Sequence, residues 1–69
     1  MKITAQNNII LSIIDNLENS ILGKGILQKI TYEMVSYGYS STLTITVKDG
    51  FELSLEDIFW LGYQVGGDN

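Results

Sequence analysis

The chain contains no cysteine, no histidine and no proline, and its four basic residues, Lys2, Lys24, Lys29 and Lys48, are all lysines. Without cysteine there can be no disulfide framework and no thiolate zinc site, and without histidine the commonest imidazole ligand is gone. The same two absences remove the usual thiol nucleophile and the usual general base. Serine hydrolysis would then rest on an activating lysine, yet all four lysines read as loop or solvent-facing positions. The chain is accordingly expected not to be an enzyme, and no cofactor or metal is expected.

Arginine is absent too, and the formal net charge is −4. A duplex-binding surface needs a basic stripe to displace counterions and planar guanidinium forks to read guanine. Direct nucleic-acid binding is therefore disfavoured. Long apolar runs are missing as well. The longest, Ile9 to Ile14, is interrupted by Ser12 and closed by Asp15, far short of the roughly 20 residues that cross a bilayer. The opening "MKITAQNN" lacks the apolar region and cleavage site of a secretory signal. A cytoplasmic location follows as the expectation. Starting at Met1 and ending in polar "GGDN", the sequence reads as a complete small gene product.

What is present is a 69-residue chain with 45% hydrophobic residues, enough for a folded domain and too many for a disordered one. A domain this small buries only about 60% of the surface of its unfolded chain. Natural proteins of this size supplement a thin core with disulfides, a metal or a partner subunit. With cysteine and histidine missing, self-association is the supplement left, and a homodimer is expected.

Residues 4–22 read as an amphipathic helix. Ile10, Ile13, Ile14, Leu17 and Ile21 share one arc, and Ser12, Asp15, Asn16 and Asn19 lie opposite. Thr4 is its candidate N-cap, and "GKG" at 23–25 its candidate terminator. From Leu27 the period changes to two. "KITYEMVSY" gives a first strand (28–37) with Ile30, Tyr32 and Met34 inward. "TLTITV" gives a second (41–48), in which Leu43, Ile45 and Val47 alternate with threonines. Asp49-Gly50 is a hairpin signal, followed by a short third strand (51–54) bearing Phe51 and Leu53. A last helix (55–66) is capped by Ser54 with Asp57 at its third position, and ends at Gly66-Gly67. The expected fold is α+β: a small α-β-β-β-α domain, one three-stranded antiparallel meander carrying both helices on one face.

The last helix raises the functional question. Leu55, Ile58, Leu61, Gly62 and Val65 share one side and are expected to cover the sheet. Phe59 and Tyr63 form a flanking ridge, and Trp60 falls between Glu56 and Gln64, on the side expected to meet water. Either another part of the chain, such as the first helix or the Leu27 loop, folds over Trp60, or Phe59, Trp60 and Tyr63 form a docking surface of the kind aromatic hot spots make. Gly62 and Gly66 either admit another backbone or merely clear space over the sheet and cap the helix. Tyr37 and Tyr39, around Gly38 at a hairpin tip, are a second candidate contact patch, or simply tyrosines at strand ends.

Other chemistry finds less support. Asp49, Glu52, Glu56 and Asp57 crowd one stretch, but their side chains diverge and read as solvated or capping groups. "LGKG" lacks the phosphate-loop pattern. In composition the chain resembles the very short, acidic, isoleucine- and asparagine-rich accessory proteins of bacterial viruses. That resemblance implies a protein-binding inhibitor that sterically occludes a host protein, such as a defence component, in the host cytoplasm. The alternative expectation is an acidic regulator of nucleic-acid function, either a DNA mimic or a transcription-associated factor.

Overall fold

The computed structural model describes residues 1–66 and the side chains of residues 1–64. The chain is an α+β domain with a single three-stranded antiparallel sheet. Its elements run β1 (Lys2–Gln6), α1 (Asn7–Asn19), α2 (Ile21–Leu27), β2 (Ile30–Tyr37), β3 (Ser40–Val47) and α3 (Leu55–Gly66).

The strand order is β1-β3-β2, so β3 lies in the middle. Its alternation holds in the middle of the strand, where Leu43 and Ile45 are buried and the intervening threonines face the other way, but Val47, expected inward, is exposed at the strand's end. β2 joins it through a two-residue turn in which Gly38 has φ 64°, a conformation that a Cβ would strain. On the opposite side of β3 sits β1, with Ile3 facing Leu43 and Ala5 facing Ser41. Thr4 is therefore a strand residue, its hydroxyl 2.9 Å from that of Thr42, and not a helix cap. The expected third strand at 51–54 does not form. Asp49-Gly50 does turn the chain, with Gly50 at φ 85° and Phe51 N–H bonded to Lys48 O. The chain then leaves the sheet, because β1 already holds the second edge of β3.

The helix expected over 4–22 is shorter and is followed by a second one. α1 starts at Asn7, whose N–H bonds Tyr39 O and whose Nδ2 bonds Gly38 O, pinning the hairpin tip to the helix start. The Asn7 Oδ1 in turn accepts from the hydroxyl of buried Ser41. At the other end Ser20 breaks the helix with extended backbone, φ −91° and ψ 156°. Its hydroxyl donates to Asn16 O and accepts from Gly23 N–H, ending α1 and capping α2 with one side chain. "GKG" thus lies within α2, and Ile21, placed on the core arc by the wheel, is 91% exposed.

Ile10, Ile13, Leu17, Ile26, Ile30, Leu43, Ile45 and Leu61 make one continuous core. Across it, the Tyr32 hydroxyl on β2 donates to Glu18 on α1 at 2.6 Å. That bond to the carboxylate, with burial and the Glu18 charge, raises the Tyr32 pKa above its usual value.

Gly23 is where α2 meets α1 most tightly. A Cβ there would lie 2.0 Å from Asn16 O and 2.7 Å from Leu17 Cα, whereas one at Gly25 would meet nothing within 4 Å. Gly23→Ala is expected to lower stability by about 2 kcal/mol or more by overpacking. Gly25→Ala should raise it by up to about 1 kcal/mol through helix propensity. Urea unfolding of the two variants beside the parent checks both signs.

Candidate functional site

The rotation of α3 about its own axis decides which of its side chains are available. Its start is a reciprocal cap: Asp57 N–H bonds Ser54 Oγ at 3.1 Å, and Ser54 N–H bonds Asp57 Oδ2 at 3.0 Å. The same carboxylate oxygen is 3.0 Å from Lys29 Nζ, just ahead of β2, and this ion pair turns Asp57 toward the body of the domain. At the other end of the helix Asn16 Nδ2 on α1 bonds Gln64 Oε1 at 2.7 Å. Positions 57, 60, 61 and 64 fall on one helical face. With its ends held by Lys29 and Asn16, α3 turns Leu61 into the core and lays Trp60, half-buried, against it.

The side expected to cover the sheet is consequently the outer one. Leu55 is 74% exposed, Ile58 46%, Phe59 73% and Tyr63 71%. These positions, with Gly62, form a continuous stripe on the face opposite Asp57, Trp60 and Gln64. Gly62 therefore clears no space over the sheet: it is exposed, and a Cβ there would meet nothing within 4 Å. Among the described side chains of the expected inner face, Leu61 is the one that is buried. The side chain of Val65 and the terminator residue Gly67 lie outside what is described.

Of the five aromatic candidates, Phe59 and Tyr63 stand together on the exposed stripe, and Trp60 lies on the other side of the same helix. Tyr37 and Tyr39 are also exposed, but they are held elsewhere. Their turn is fastened to Asn7, whereas α3 is fastened to Asn16, about 13 Å farther along α1. The wheel missed Leu55 and Ile58 as surface residues because it weighed apolar side chains alone. The signal that finds them is polar: Asp57 and Gln64, seven residues apart, flank Trp60 and Leu61 on the face that the partners Lys29 and Asn16 select.

Among the described residues, no group of three or more acidic side chains is placed to hold a metal ion. No helix among them is long and apolar enough to cross a membrane. Comparison with known proteins finds no matching family model, no matching curated protein and no matching solved structure.

Two outcomes test this geometry. The Ser54 N–H bond, together with the Lys29 and Ser54 side chains, lowers the Asp57 pKa below its ordinary 3.8 against the opposing effect of burial. A carboxyl held below its unfolded value contributes stability that is complete above about pH 4 and is lost as pH falls through the lowered value. Thermal midpoints should therefore drop on acidification below about pH 4, and Asp57→Asn should flatten that drop. Trp60→Ala should lower stability by about 2 kcal/mol, in proportion to a half-buried aromatic. Trp60 emission should be blue-shifted at every protein concentration, since the chain itself covers the indole.

Proposed function

We propose that this protein is a non-enzymatic protein-interaction module that acts by masking a surface of another protein, with the outer face of α3 as its docking surface. One observation supports the reading above all others: Leu55, Ile58, Phe59 and Tyr63 form an unbroken apolar stripe that nothing in the described chain covers. Single exposed hydrophobic residues are ordinary, but a contiguous stripe rich in aromatics has the character of a contact site. The charged side chain beside the stripe, Glu56, stands at its edge in line with Tyr63, where the polar rim of an interface would lie.

The compositional likeness to small accessory proteins of bacterial viruses gives the reading its setting. The masked protein is then a host component, such as a defence factor or regulator, met in the host cytoplasm. Tyr37 and Tyr39 supply a second, separate contact patch at the other end of α1. Carboxylates with structural tasks, Asp57 toward Lys29 and Ser54 and Glu18 toward Tyr32, favour this reading over a nucleic-acid mimic.

The test is retention of a host protein on immobilised chain. Wild-type chain is expected to retain a discrete host protein, and a Phe59→Asp, Tyr63→Asp double variant with unchanged far-UV circular dichroism is expected to lose it. Equal retention by both would remove α3 as the docking surface.

A further inference from the structure

We infer that the occupant of the α3 face in the free protein is a second copy of this chain, docked antiparallel through α3 so that each Phe59 seats over the Gly62 of the other copy. This rests on the reading of that face as a docking surface and names its partner.

Area is the first argument. Leu55, Ile58, Phe59 and Tyr63, at 74%, 46%, 73% and 71% exposure, present about 500 Å² of apolar surface per copy. Two such stripes laid together can bury up to about 1,000 Å², the size at which a specific interface begins. A patch that large is at the upper end for a monomer of any size, and this is a small one.

Gly62 is the second argument. Glycine inside a helix weakens it, and it is retained where another backbone or a ligand comes close. Within the chain nothing comes close: the space where its Cβ would stand is open. On the helix Gly62 lies within the stripe, one turn after Ile58 and Phe59, and leaves a notch beside them. In an antiparallel pair a register that sets Phe59 level with Gly62 does so twice, once from each copy, so that each Phe59 ring meets the hollow of the other helix. The contact is self-complementary, as a two-fold interface must be.

Charge selects the direction. Glu56 and Asp57 lie in the first turn of α3. Asp57 is turned away to Lys29, but side-by-side parallel helices would bring the two Glu56 carboxylates together between chains that each carry −4. An antiparallel pair separates them by about 13 Å along the axis and sets each helix dipole against the opposite end of its neighbour. A host protein that uses the same face would then compete with the second copy, so its capture weakens as chain concentration rises.

Sedimentation equilibrium of the full chain tests the inference. Wild type is expected to double in mass with a dissociation constant of about micromolar to tens of micromolar. Phe59→Asp is expected to remain a monomer with unchanged circular dichroism. Gly62→Ala should unfold at a higher temperature when dilute, yet associate about tenfold more weakly. Because the chain has no cysteine of its own, direction can be read by cross-linking. Leu55→Cys chains should resist disulfide self-linkage, because the antiparallel register holds the two positions about 16 Å apart along the helix axis, whereas a parallel pair would set them together.

A dimer that survives Phe59→Asp overturns the inference, and so does ready self-linkage of Leu55→Cys. A chain that stays monomeric at every concentration overturns it too, and anilinonaphthalene sulfonate then separates the two readings. Dye binding that Phe59→Asp removes leaves a docking surface for a different partner. A monomer that binds no dye overturns the docking surface itself.

Discussion

Lys29 and Asp57 form the contact on which the character of this surface depends. Their ion pair, 3.0 Å long and partly shielded from water, is continuous with the cap that starts α3. An isolated surface pair contributes about 0–1 kcal/mol. Its weight here lies in selection more than in strength. α3 offers two apolar strips, a smaller one holding Trp60 and Leu61 and a larger one holding Leu55, Ile58, Phe59 and Tyr63. By hydrophobicity alone the second is the better core face. With Asp57 held by Lys29 and Gln64 by Asn16, the helix is turned so that the larger strip points outward. A few polar atoms thus direct several apolar side chains into solvent.

Asn16 links this arrangement to the rest of the fold. Its side chain receives α3, while its carbonyl accepts both the N–H and the hydroxyl of Ser20. The same carbonyl is what a Cβ at Gly23 would strike. The elbow between α1 and α2 and the seating of α3 therefore share one residue. A change that opens the elbow will also be felt at the outer stripe, through a packed core with little room to absorb a shift.

Much of this architecture can be read from the chain. The threonine alternation of β3, the glycine turn at its start and the Ser54–Asp57 cap are local patterns, and each appears where its physics puts it. Legibility ends where a decision is non-local. Lys2–Gln6 alternate in polarity as a strand should, but five residues preceding a strong helical pattern are easily absorbed into the helix. Only the vacant edge of β3 makes them a strand. The stretch 51–54 alternates equally well, and the same edge, once filled, excludes it. Ser20 between two runs of isoleucine and leucine looks like an ordinary polar position until its double bonding to α1 and α2 is seen. The aromatic cluster was visible as a candidate site, and Phe59 and Tyr63 are on the surface. Trp60 could be placed only by knowing which side of α3 its polar partners hold.

The position of β1 has a consequence for how the molecule comes into being. β2 and β3 are neighbours in sequence and can close as a hairpin on their own, but Lys2 pairs with Thr44 and Gln6 with Ser40. During synthesis the opening strand must wait until nearly all of the sheet's sequence has left the ribosome. Through that interval the middle strand has one bare flank, ready to accept any extended chain. Of the three strands, the one translated first is the last to pair, and its alternating Ile3 and Ala5 fit the face of β3 that waits for it.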